Sequence, residues 1–171
     1  MVPESQSIFY ETETPQASRE LAELRTSLHY VPPFEIIRRR VIDDWLEGRM
    51  TIDATVVIRV GNIEETEAAR GIGVVNALDT ALRKALMKYF PFLDSVRVTE
   101  TYMHASGEST EAEVMSVKKF SDGHMVWATL AKSTNSVEAG WKSLVDGYEW
   151  RIIHEAARRR RQSDNPKLSR R

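Results

Sequence analysis

A chain of 171 residues with 42% hydrophobic side chains and a net charge of −1 has apolar material for one core, and a usual domain of about 100 to 150 residues leaves only short arms over. The lack of cysteine excludes disulfides, thiolate nucleophiles and cysteine-bound metals. No apolar run approaches the roughly 20 residues of a membrane span, and the first residues lack the basic-then-apolar order of a signal peptide, so a soluble, cytoplasmic protein with no membrane partner is expected.

Residues 1–33 read as an N-terminal arm punctuated by Pro3, Pro15, Pro32 and Pro33. Only residues 17–28 have helical propensity, and Leu21, Leu24 and Leu28 form a stripe suited to docking on the body or on a partner helix. Charge is uneven along the chain. Five Glu against Arg19 give residues 1–24 a charge of −4, and eight Arg or Lys against Glu155 and Asp164 give residues 151–171 a charge of +6. Residues 156–171 form a basic tail whose bland reading is a solvated end, and no aromatic side chain interleaves Arg158 to Arg161 as a stacking platform. Nucleic acid is therefore not an expected partner. The start at Met1 and the acidic arm lead to the expectation of a separate gene product.

From Phe34 the pattern is regular. Residues 35–43 predict a strand, 45–49 a glycine-containing connection, 51–60 a second strand and 64–69 a third. A helix over 75–89 follows from Leu78, Leu82 and Leu86 with Ala77, Ala81 and Ala85 beside them, and Pro91 prevents its continuation. Three more strands are predicted over 96–105, 111–120 and 125–131, the last two joined through the Ser121-Asp122-Gly123 hairpin signal. Asn135 is a good N-cap for a last helix whose stripe is Val137, Trp141, Leu144, Val145, Tyr148 and Ile152. The expected fold is α+β: two βββα units, helices packed on antiparallel sheets, in a domain over residues 34–155.

Chemistry-bearing signals are few. Gly71-Ile72-Gly73 lacks the third glycine of a dinucleotide fingerprint; its free amides and the following helix N-terminus suit a carboxylate, and it also reads as a plain strand-to-helix turn. His29, His104, His124 and His154 are too scattered for a metal-ligand spacing. Glu64, Glu65, Glu67, Glu108, Glu111 and Glu113 fit an alternating solvent face better than paired-carboxylate catalysis, and Trp127, Trp141 and Trp150 fit core or interface anchors. No cofactor and no metal are expected.

Gly71, Gly73, Val75, Asn76 and Ala77, with Val74 in place of a proline, resemble a signature of the C-terminal regulatory, leucine-binding dimer domain of the α-isopropylmalate and citramalate synthases. The run from Ser133 through Asn135 and Trp141 to Val145 resembles its second signature, with Lys132, Ser136 and Gly140 as departures. The resemblance covers roughly residues 34–153. It implies a homodimer without enzymatic activity of its own, since nothing here resembles the His-x-His metal motif of the catalytic barrel. It further implies that Ile72, Gly73, Val75, Asn76, Val98, Thr101 and Ala105 line a site for a branched-chain amino acid or similar small effector at a dimer interface, and that a catalytic synthase subunit is the partner. The rival expectation is a dimeric interaction module that has lost effector binding.

Overall fold

The computed structural model describes residues 14–106 and 112–164. It contains helix α1 (Gln16–Arg25), strands β1 (Glu35–Leu46), β2 (Arg49–Val60) and β3 (Ile63–Gly71), and helix α2 (Val74–Met87). A 3-10 turn (Pro91–Ser95) leads to β4 (Arg97–Ser106), β5 (Glu113–Ser121), β6 (Val126–Ser133) and helix α3 (Ser136–Asp164). The strands form two separate antiparallel sheets in the orders β1-β2-β3 and β4-β5-β6, so the βββα unit occurs twice within an α+β fold. Helix α2 packs on β2 and β3, α3 packs on β5 and β6, and the two helices touch each other.

Alternation builds the first unit. Ile52, Ala54, Val56 and Ile58 of β2 are buried, and they meet Ala77, Leu78, Ala81, Leu82, Ala85 and Leu86 from the apolar stripe of α2. The β1–β2 connection is tighter than the sequence pattern indicates. Leu46 pairs with Arg49, leaving only Glu47 and Gly48 in the turn, with φ of 51° and 77° as a type I′ hairpin requires. Two consecutive left-handed residues favour Asn-Gly or Asp-Gly, and a glutamate there hides the signal. Past Pro91, Leu93 of the 3-10 turn plugs the core, an element absent from the sequence expectation.

The second unit is built on aromatics. Phe120 stacks on Trp127 at 5.5 Å, Trp127 on Trp150 at 5.6 Å, and Tyr148 meets Phe120 edge-on at 5.9 Å. Gly147 lets α3 come down onto this cluster: a Cβ there would lie 2.1 Å from Phe120 Cζ, and the Gly147 carbonyl accepts the Trp127 indole N–H at 3.0 Å. At the β5–β6 hairpin, Asp122 accepts the amides of His124 and Met125, each at 2.9 Å, and the Arg151 guanidinium of α3 at 2.9 Å.

The N-terminal helix docks on the body. Ala17 and Leu21 are buried, the Trp150 indole donates to Glu20 at 2.6 Å, and Arg25 bridges Asp146 and Glu149. The expected stripe is shortened, because the helix ends at Arg25 and Leu28 lies beyond it, 99% exposed. At the other end α3 runs on through nine residues assigned by composition to the solvated tail, reaching Asp164. Glu155 explains the extension, since it binds Arg151, Arg158 and Arg159 at 3.2, 2.8 and 2.9 Å along the helix. The acidic arm at 1–13, Glu108, Glu111 and residues 165–171 lie outside the described residues.

Two outcomes follow. Gly147→Ala destabilises by about 1–3 kcal/mol or more in chemical denaturation, because the Phe120 ring must leave its stack. Chiefly through the Arg158 hydrogen bond, with Arg159 and Arg151 adding and burial opposing, Glu155 is held from 4.5 down to about 2. A folded-state value below the unfolded one contributes stability above about pH 4.5 that disappears as the pH falls toward 2. Glu155→Gln therefore flattens the acid limb of a stability–pH profile, and an unchanged limb rejects the assignment.

Candidate functional site

The sequence-predicted positions fall in two places. Ile72, Gly73, Val75 and Asn76 make the turn from β3 into α2, and Val98, Thr101 and Ala105 lie on β4. In the turn, Gly71 is the glycine that packing demands: a Cβ would lie 2.5 Å from the Ala77 backbone nitrogen and 2.7 Å from Asn76 Oδ1. Gly73 has extended backbone, with φ −161°, and open space where a Cβ would point. The Ile72 amide donates to Asn76 Oδ1 at 3.2 Å, so the asparagine ties the loop to its helix through its oxygen. Gly73 is the N-cap residue and offers no side-chain acceptor to the first turn of α2. Ile72 itself is 95% exposed. Val74 occupies the first helical position, where a proline is well tolerated because its missing N–H has no partner in the helix anyway.

On β4 the three positions share a face because of an irregularity. Val98 pairs with Phe120 and Thr101 with Lys118, and the register shifts between them at Val98/Glu100. That bulge keeps residues three apart on one side, which strict alternation forbids. Val98 packs on the core, whereas Thr101 and Ala105 are exposed beside Met103 because α3 packs on β5 and β6 and stops short of β4.

The two places are connected through a seam between α2 and α3. Val75 Cγ2 lies 3.1 Å from where a Gly140 Cβ would sit, and one turn on, the Tyr148 hydroxyl donates to Asp79 Oδ1 at 2.6 Å. Burial pushes the Asp79 carboxyl above its usual value and the Tyr148 phenol well above its own. Lys118, paired with Thr101 and with Thr129 on the helix-facing side of its sheet, reaches Thr101 Oγ1 at 3.4 Å. Burial depresses the Lys118 ammonium while the Asp79 charge acts against that shift. Arg83 donates to the Val96 carbonyl at 2.9 Å, tying α2 to the approach of β4. Arg39 of β1 crosses to α3, binding Glu138 and covering the Trp141 ring at 5.5 Å; its Nη1 is buried without a hydrogen-bond partner among the described residues.

Sequence reasoning missed Asp79 and Lys118, and placed Tyr148 only on the apolar stripe of α3. Two adjacent lysines in an alternating strand carried a signal, because one of them must face inward. Other candidates are absorbed elsewhere. Asn135 Oδ1 caps α3 by accepting the Glu138 amide at 3.0 Å. Glu65 and Glu67 both bind Lys88, and Glu64 binds Arg59. Trp127, Trp141 and Trp150 are buried, and no group of three or more His, Asp or Glu among the described residues is placed to hold a metal. No described helix is long and apolar enough to cross a membrane.

A duplicated βββα domain whose units meet along a helix seam defines the class of protein. Residues 20–151 match the LeuA allosteric (dimerisation) domain, and the chain belongs to that family. It is 32% identical over 155 residues to the (R)-citramalate synthase of Geobacter sulfurreducens, covering 88% of this chain and 29% of that protein. The (R)-citramalate synthases of Aquifex aeolicus and Sulfolobus acidocaldarius are each 35% identical, over 107 and 104 residues, covering 61% and 60% of this chain and 20% of each relative. The chain thus spans less than a third of the relatives it matches, and the part it shares with them carries the regulatory domain of the synthases.

The glycine contrast is testable by thermal denaturation: Gly71→Ala loses about 1–3 kcal/mol because backbone atoms block the new methyl, while Gly73→Ala stays within about 0.5 kcal/mol of the parent. Equal losses at both positions would overturn this account of the turn.

Proposed function

We propose that this domain forms a homodimer, binds a branched-chain amino acid or a closely related small carboxylate beside the α2–α3 seam, and through that binding modulates a partner synthase. The observation that carries the reading is the match to an allosteric dimerisation domain over residues 20–151. The turn supports it physically: open space stands at Gly73, where the loop enters α2, so a small ligand meets no side chain there. Large apolar side chains on the surface, Trp45 at 70% and Met50 at 56% exposure with Ile42 on the β1–β2 hairpin and Ile63 and Ile72 elsewhere, suit a second copy of the chain. Regulation then requires only that the effector favour one dimer arrangement over another. Reaction chemistry would belong to the partner, and a reducing, cytoplasmic setting fits a chain without cysteine.

The rival, a dimeric module without an effector, draws on the departures from the family signatures. Lys132 is exposed and bound to Glu113, and Ser136 is an exposed first residue of α3, so both leave the seam untouched. Val74, the departure in the first signature, packs against the core at the start of α2, and Gly140 lies on the seam beside Val75.

Sedimentation paired with thermal denaturation against leucine, isoleucine, valine, their keto acids, citramalate and isopropylmalate tests the proposal. A ligand at 100 times its dissociation constant stabilises by about 2.7 kcal/mol, roughly 5 to 10 °C for a domain of this size. The expected result is a dimer stabilised by one of these ligands, with Gly73→Leu folded but unresponsive. A folded dimer that responds to none of them favours the rival.

A further inference from the structure

Lys118 is the most deeply buried cation among the described residues, 1% exposed, and its setting is unusual for a structural lysine. An ammonium out of water is costly unless hydrogen-bonded and paired, and its usual solution is a carboxylate within contact distance. Here its one hydrogen bond among the described residues is a long one, 3.4 Å to the neutral hydroxyl of Thr101. The carboxylate whose charge acts on it is Asp79; no ion pair joins the two among the described residues, and Asp79 accepts the Tyr148 hydroxyl at 2.6 Å. Arg83 and Arg97 also act on Asp79, so Lys118 shares that carboxylate with two guanidinium groups.

The direction of the side chain matters as much as its burial. Lys118 starts in the middle strand of its sheet beneath α3, but its Nζ extends to Thr101 on the edge strand, where helix cover ends. Thr101, Met103 and Ala105 form an uncovered shelf on that side, with the methionine 41% exposed. A charge led to the margin of an apolar shelf and left short of an anion is suited to a small ligand that brings a carboxylate and lays an aliphatic chain on the shelf.

The geometry points to Lys118 as the anchor for the carboxylate of the effector, with Thr101 beside it and the branched chain of the ligand along Met103 and Ala105. This rests on the effector-binding reading above and names the group that recognises the ligand. It makes the carboxylate obligatory: leucine and its keto acid qualify, and leucinol, which keeps the amine and the side chain, does not. It also separates function from stability. A lysine kept for its contacts would destabilise the domain on removal, whereas one kept for a ligand anion leaves the free protein no worse when an apolar chain of similar length replaces it.

Titration calorimetry and thermal denaturation of the parent, Lys118→Met and Lys119→Met test this with leucine, isoleucine, their keto acids and leucinol. Lys119 faces the opposite side of the sheet and pairs with Glu100. In the expected result a carboxylate ligand binds the parent and Lys119→Met alike, and leucinol does not. Lys118→Met without ligand melts at or above the parent temperature and binds at least about tenfold more weakly, as for the loss of a hydrogen bond to a charged group. Undiminished binding by Lys118→Met, or equal binding of leucinol, overturns the anchor and leaves the effector reading standing. A parent that binds none of the carboxylates overturns both. A Lys118→Met protein that melts well below the parent assigns the lysine to structure and also rejects the anchor.

Discussion

The contact between α2 and α3 is the constraint on which the rest of the molecule depends. The two sheets share no ladder, so each βββα unit is closed by its own backbone hydrogen bonds and gains nothing from the other through them. What unites them is side-chain contact along the helices: Val75 against Gly140, Asp79 with Tyr148, and Arg39 reaching from β1 to Glu138 and Trp141. A buried hydrogen bond to a charged group is worth about 1.5–3 kcal/mol, so the Asp79–Tyr148 pair alone is a substantial part of what a marginally stable domain has to spare. The loop at 72–76 and the shelf on β4 belong to different units, and only the seam fixes one relative to the other.

Much of the fold was legible because its elements follow simple periods. Alternation in β2, the four-residue leucine spacing in α2, the glycine after Asp122 and the cap at Asn135 each correspond to an element at nearly the expected place. Less legible were features that depend on partners distant in the chain. The need for Gly147 comes from Phe120, 27 residues earlier, and the length of α3 comes from Glu155 gathering arginines that composition assigns to a tail. The turn at Glu47-Gly48 was legible as a connection over 45–49 but not as a two-residue hairpin, because a glutamate adopts the left-handed conformation there.

The candidate site was only half legible. Sequence resemblance supplied the turn into α2 and one side of β4, but the grouping of Val98 with Thr101 rests on a bulge that no local pattern announces. The polar centre of the seam was harder still. Asp79 sits in a helix and Lys118 in a strand, 39 positions apart, and each looks like an ordinary surface residue until the packing removes its water. Gly140 shows the converse: a departure that looks disruptive in a signature lies, in space, where a Cβ would come 3.1 Å from Val75 Cγ2, so the glycine eases the approach of α3.

Helix α1 has a bearing on how the chain behaves in company. In a sheet of order β4-β5-β6, β6 is an outer strand, and such a strand presents unpaired amides to any neighbouring chain. Here the Leu130 amide donates to the Ser18 hydroxyl at 2.8 Å, while Ala17 and Leu21 seat the helix beside it. Ala17 and Ser18 precede residue 20, where the family match begins. A protein trimmed to the matched span would lose Ala17 and Ile152 from its core and keep its seam, yet bare that strand, and its characteristic failure would be edge-to-edge aggregation.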